Sequence, residues 1–298
     1  MTVTDNPEDR PETPADPPPS PEPGNQPADR DAGVRYGAES RRRGGRKPRS
    51  ERNGGGRRPP RTEPPPPPGI VVVDKPTGMS SMTVVSIVRR KAGLKAGHAG
   101  TLDPLATGVL VVGIGAATKH LERFMKTRKG YRTEIDLSAF TATDDREGEL
   151  QPVEVESPPE RETVAAMLAE RFTGVFLQVP PDFSAKKVGG QRAYAAARRG
   201  ETPKLEPRPV EVHEIALVDY AWPIATVEVT CEKGFYVRSL ARDLGTALGT
   251  GGHCASIRRT AVGPFGLDHA VDPDDLPEIL PDDAVLPLED ALAMLTDR

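Results

Sequence analysis

The chain has 298 residues, a mass of 32.0 kDa and a formal net charge of −4, enough for one large domain or two ordinary ones. No apolar run reaches the roughly 18 residues that a membrane span needs, and the N-terminus lacks the apolar stretch of a signal peptide, so a cytoplasmic protein is expected. The two cysteines, Cys231 and Cys254, form no CxxC pair and suit reduced thiols; no disulfide, metal site or bound cofactor is expected.

Residues 1–68 hold 17 of the 33 prolines and almost no large apolar side chains. They cannot bury enough surface to offset the entropy of ordering and are expected to be a disordered tail. Between Arg35 and Arg61 eleven Lys/Arg stand against two Glu. Such a run can attract phosphates through counterion release without reading sequence; the commoner readings are a solvated tail or a start codon set too far upstream. Pro64–Pro68 then form a stiff spacer. The remaining residues, 69–298, carry 27 Lys/Arg against 33 Asp/Glu, so any polyanion must be met by local basic surface.

The folded part opens with "GIVVVDKPTGMSS", in which Ile70–Val73 read as a strand buried on both faces. Ser80 or Ser81 can cap the next helix, with Val84, Ile87 and Val88 on its apolar face and Arg89, Arg90 and Lys91 near its C-terminus, where the macrodipole favours cations. Gly93, Gly97 and Gly100 imply a loop, Gly108–Ile114 a strand, and Ala116–Lys126 a helix with Leu121, Phe124 and Met125 inward. "GYRTEIDLSAF" alternates like a half-buried strand. A helix around Thr163–Phe172 follows, then a basic helical piece "QRAYAAARRG", strands in "VEVHEIALVDY" and "ATVEVTCEKG", and a helix "VRSLARDLGTALG". In the last, Leu240, Leu244 and Leu248 recur every four residues and Gly249 is a plausible stop. Strands and helices mix without a regular βα repeat, which implies an α/β or α+β fold with a mixed sheet.

The stretch "GHAGTLDPLATGVL" sets Asp103 between a glycine-rich turn and a proline. An Asp before Pro often does no more than initiate a turn through its side-chain oxygen. Here Gly97, Gly100 and Gly108 would let backbone approach a ligand closely, and His98 adds a polar ring. A lone carboxylate in such a loop can be a nucleophile, a general base or an electrostatic partner of a developing cation.

That stretch resembles the catalytic motif of the TruB-type pseudouridine synthases, bacterial enzymes that isomerise uridine-55 in the T loop of tRNA. "VVVDKPTGMSS", "SAKKVGGQRAYAAARRG" and "KGFYVRSLARDLG" resemble further family segments and occur in the family's order. The resemblance implies a pseudouridine synthase-type catalytic domain over residues 69–283, with a mixed, largely antiparallel central sheet flanked by helices. It implies Asp103 as the essential aspartate, Arg238 as its arginine partner and Tyr131 as the tyrosine stacked on the target base. Tyr236 would line the same pocket, His98 would enter the T loop near the place vacated by the flipped uridine, and Lys75 would lie near the site, supporting structure or RNA contacts. The implied partner is the tRNA T stem-loop, with no membrane and no guide RNA, and the protein would be a monomer.

These roles make physical sense. A stacked uridine must be extruded before it is reached, which calls for an aromatic platform and something to fill the gap; an aspartate working as an anion in a dry pocket calls for a cation that never deprotonates. Bland alternatives are a half-buried strand tyrosine at 131 and a helix-surface arginine at 238. Two departures from the family stand out: "LSAFTATDDREGE" where a glycine and polar residues are common, and a short helix in residues 284–298 where relatives usually continue into a small RNA-binding domain. Rival readings are a nucleotide-binding turn at "VVGIGAATK", which lacks the third glycine, a non-catalytic RNA-binding protein, and the guide-RNA-dependent branch of the same family.

Overall fold

The computed structural model describes residues 64–181, 187–188, 191–192 and 205–296. Residues 1–63 of the tail expected to be disordered over 1–68, and residues 193–200 of the helical piece expected over 191–200, lie outside them. β1 (Gly69–Lys75) is buried almost throughout, as its unbroken apolar run requires. Helix α1 (Ser81–Ala92) starts at Ser80, whose hydroxyl accepts from the Thr83 N–H at 3.1 Å, and stops at Gly93 in the left-handed conformation. Val84, Val85 and Val88 face the core and Ile87 is half-buried. The cations at its end divide: Arg89 and Arg90 are exposed, whereas Lys91 is buried and donates to the Leu276 carbonyl.

The expected glycine loop contains a strand, β2 (Ala96–His98), paired with β3 (Thr107–Ile114). Gly97 sits opposite Gly113, and Leu121 packs over both, so closely that a Cβ on Gly113 would lie 2.9 Å from its Cδ2. These glycines clear room for a side chain. The helix expected over Ala116–Lys126 breaks into a 3₁₀ turn (Gly115–Lys119) and a short α2 (Leu121–Met125), because the Thr118 hydroxyl bonds the Gly115 carbonyl and competes with the helical ladder. Phe124 is buried, but Met125, expected inward, is 43% exposed and borders the cleft that holds Asp103.

β4 (Lys129–Asp136) is followed by the hairpin β5 (Ala139–Thr141) and β6 (Leu150–Pro152), helix α3 (Arg161–Arg171) and β7 (Gly174–Gln178). Next come the two-residue strands β8 (Lys187–Val188) and β9 (Gln191–Arg192), the latter starting the stretch expected to be helical. β10 (Arg208–Ala221) and β11 (Ile224–Cys231) form a long hairpin. Helix α4 (Val237–Leu248) buries Leu240 and Leu244 and ends at Gly249, φ 71°. β12 (His253–Val262), β13 (Phe265–Gly266), β14 (Leu286–Pro287) and α5 (Leu288–Ala293) complete the described chain.

One ten-stranded sheet runs β14-β1-β3-β12-β4-β11-β10-β7, with β2 added to β3 and β13 to β12. Its neighbours are antiparallel except β12 and β3, which run parallel over Arg258↔Thr107 and Arg259↔Gly108. The mixed, largely antiparallel sheet flanked by helices is therefore as expected. α3 and α4 cover the β4-β11-β10 half through Leu168, Leu240, Leu244 and Val227, while α1 covers β1 and β3 through Val84, Val88 and Val112. Each of these side chains contributes about 1.5–3 kcal/mol by leaving water. Between the two halves lies β12, and the segments around it converge on Asp103. Among the described residues no helix is long and apolar enough to cross a membrane.

Candidate active site

The turn that carries Asp103 is held by backbone and by neighbours rather than by its own carboxylate. The Asp103 carbonyl accepts from the Ala106 N–H at 3.1 Å, closing the turn. Ser81 clamps Leu102 from both sides, its hydroxyl donating to the carbonyl at 2.9 Å and accepting from the N–H at 2.8 Å. Gly78 N–H donates to the Pro104 carbonyl at 2.7 Å. A turn fixed in this way frees the Asp103 side chain.

That side chain meets Arg238, near the start of α4. Arg238 Nη2 lies 2.9 Å from Asp103 Oδ2, and the arginine side chain is 6% exposed against 40% for the aspartate. Nη1 lies 3.4 Å from Asp145 Oδ2 and donates to the Thr143 carbonyl at 3.0 Å. The expected pair is thus a triad of one guanidinium and two carboxylates. Asp145, which sequence reasoning did not single out, comes from the divergent "LSAFTATDDREGE" segment, and its neighbour Asp144 bonds Arg242 Nη1 at 2.7 Å. Burial pushes the Asp144 carboxyl up to about 6, against the opposing pull of Arg242 and Arg238.

Asp103 and Arg238 line a cleft of about 330 Å³ together with Tyr131, Tyr236, Phe235, Ile257, Lys129 and Arg259, room for a single nucleoside. Tyr131 stands on β4, and burial holds its phenol above the ordinary pKa. Tyr236 is positioned by Gln178, whose amide oxygen accepts from its N–H. Lys129 donates to the Met125 carbonyl at 2.5 Å and to that of Thr127, and burial lowers its pKa to about 8.

The other two expected residues do not line this cleft. Lys75 is fully buried, and its ammonium is engaged by the carbonyls of Met79 at 2.7 Å, Pro76 at 2.8 Å and Pro104 at 3.2 Å. Burial brings its pKa down to about 8, with Asp103 opposing. It ties the end of β1 to the Asp103 turn. His98 is half-buried on β2, and its Nδ1 has no hydrogen-bond partner among the described residues. Burial first, and the Arg259 charge second, lower its pKa, which favours the neutral ring. Arg259 and Asp145 are the site residues sequence reasoning missed. The signal for Arg259 was an "IRRT" run inside an otherwise apolar, alternating stretch.

A cleft with an ion-paired aspartate beside an aromatic face suits chemistry on one flat, uncharged ring. Comparison with known proteins agrees. Residues 87–237 match the family model described as TruB family pseudouridylate synthase (N terminal domain), and residues 238–293 that described as tRNA pseudouridylate synthase B C-terminal domain. A tRNA pseudouridine synthase B of Thermobifida fusca is 48% identical over 235 residues, covering 75% of this chain and 78% of that one. The protein of the same name in Mycobacterium bovis is 49% identical over 218 residues, 70% of this chain and 72% of that one. Among solved structures, one titled as a Cbf5-Nop10-Gar1 complex superposes with a TM-score of 0.59 at 28% identity, over 76% of this chain and 62% of that chain. With half the chain under one family model and relatives nearly half identical over most of it, the chain belongs to the TruB family of pseudouridylate synthases.

Proposed function

We propose that this protein is a tRNA pseudouridine synthase that converts uridine-55 in the T loop, acting in the cytoplasm as a monomer and without a guide RNA. Its catalytic domain would span residues 69–283. The family membership supports the reaction class, and the observation that carries the site assignment is the 2.9 Å Asp103–Arg238 pair in a cleft lined by Tyr131.

The target uridine flips out of the loop and lays its base against Tyr131, while the ring of His98 enters the space it leaves. Asp103, an anion fixed by Arg238, breaks the bond from C1′ to N1, either as nucleophile or as the partner of the developing charge. The base turns, C5 bonds to C1′, and the proton lost from C5 is balanced by one gained at N1, so the reaction is an isomerisation with no co-reactant. Tyr236 walls the pocket. Lys75 supports the Asp103 turn rather than the substrate, since three carbonyls occupy its ammonium.

The test is incubation of the protein with an unmodified tRNA transcript, followed by carbodiimide mapping of pseudouridine. A stop at the T-loop uridine is expected; no stop there would overturn the reading.

A further inference from the structure

Arg259 is the largest fully buried side chain of the described residues, 2% exposed. Among those residues no carboxylate forms an ion pair with it. Its guanidinium is spent on backbone instead: Nε donates to the Val109 carbonyl at 2.7 Å and Nη2 to the Gly100 carbonyl at 3.2 Å. Desolvating a cation without a counter-charge is costly, so stability alone does not account for an arginine here. Its surroundings sharpen the point, because its charge also helps to lower the pKa values of His98, Lys75 and Lys129.

Its placement gives the reason. In the β12–β4 ladder Arg259 is the register partner of Tyr131, and both side chains line the cleft. The Arg259 charge opposes the rise that burial gives the Tyr131 phenol. Gly100, which it also holds, has φ 105° and begins the turn that presents Asp103 three residues later. One planar fork therefore ties the turn that leads to Asp103 to β3, directly across the ladder from Tyr131. We propose that Arg259 is a positioning residue for the reaction, acting through the Tyr131 hydroxyl and the Gly100 carbonyl to hold the base platform in register with Asp103. A lysine would keep the charge but cannot donate to the Val109 and Gly100 carbonyls at once in fixed directions.

This inference rests on the functional reading above, and a double-mutant cycle tests it on the full chain. Single-turnover rates on an unmodified tRNA transcript, with tRNA affinity by filter binding, are measured for wild type, Arg259→Lys, Arg259→Gln, Tyr131→Phe and both combined variants. Arg259→Gln should slow the reaction about 100-fold and Arg259→Lys about tenfold, each with affinity within about threefold of wild type. In the Tyr131→Phe background either change should cost several-fold less than in wild type, because one of the two contacts through which it acts is already gone and only the Gly100 carbonyl remains. Losses that multiply, or a wild-type rate in Arg259→Lys, overturn the proposal. If Arg259→Gln does not fold, the lysine cycle decides alone. A wild-type protein that forms no pseudouridine overturns the functional reading itself, and this inference with it.

Discussion

The side-chain amide of Gln178 brackets the backbone of Tyr236: Oε1 accepts from its N–H at 2.8 Å, and Nε2 donates to its carbonyl at 3.1 Å. Gln178 is 1% exposed at the end of β7, and Tyr236 is the residue from which α4 starts, two positions before Arg238. A buried glutamine thus aims the arginine that pairs with Asp103 by fixing the first turn of its helix.

Gln178→Ala leaves the Tyr236 N–H without that partner in a part-buried place. Stability should fall by about 1–3 kcal/mol in urea titration, and the single-turnover rate should fall with it while tRNA affinity stays near wild type. A variant with full activity would show that Arg238 needs no such support.

Asp103→Asn is nearly isosteric, and the turn that carries it is closed by backbone bonds and by Ser81 rather than by the carboxylate. Folding should survive, turnover should fall by several orders of magnitude, and tRNA binding should persist, since phosphate contacts supply most of it. Tritium release from tRNA labelled at uridine C5 measures the turnover. A rate near wild type would refute the role given to Asp103.

Asp144 gives a pH signature of unusual sign. Burial raises its carboxyl from 3.8 to about 6, so between those values the folded protein binds more protons than the unfolded chain. Its contribution to stability therefore declines as pH rises through that window and is lowest above it. Asn tolerates the positive φ of 58° at this position. Urea titrations from about pH 4.5 to 7.5 should show the stability of Asp144→Asn gaining on wild type by an amount on the order of 2 kcal/mol. Parallel curves would be evidence against the shift.

Two glycines with similar backbone need should respond differently to alanine. Gly108 has φ 102°, and a Cβ there would lie 2.1 Å from the Arg259 carbonyl oxygen; Gly249 has φ 71° with nothing within 4 Å. Gly249→Ala should cost only the left-handed penalty, about 1–2 kcal/mol. Gly108→Ala must also push β3 from β12, so a loss above about 3 kcal/mol and a slower reaction are expected. Equal losses in thermal and urea unfolding would contradict the close approach.

Much of this protein is written locally. The apolar run of β1, the Ser80 cap of α1, and the four-residue leucine spacing and Gly249 stop of α4 follow from periodicity and end chemistry, which act within a few residues and need no partner. The motif around Asp103 is likewise continuous in sequence, so the aspartate was legible before its surroundings were. What tertiary structure decided is which strand lies beside which. Whether glycines at 97 and 113 mark a loop or a cleared path for Leu121, and whether Lys91 ends a helix in water or under the Leu276 carbonyl, depends on segments far along the chain. The same holds for the site: nothing near Arg259 says that β12 will set it opposite Tyr131, and nothing near Asp145 says that Arg238 will reach it. A charged residue in a strand is ordinarily solvated, and only cross-strand register, fixed by the packing of two sheet halves, turns this one inward to the cleft beside Tyr131.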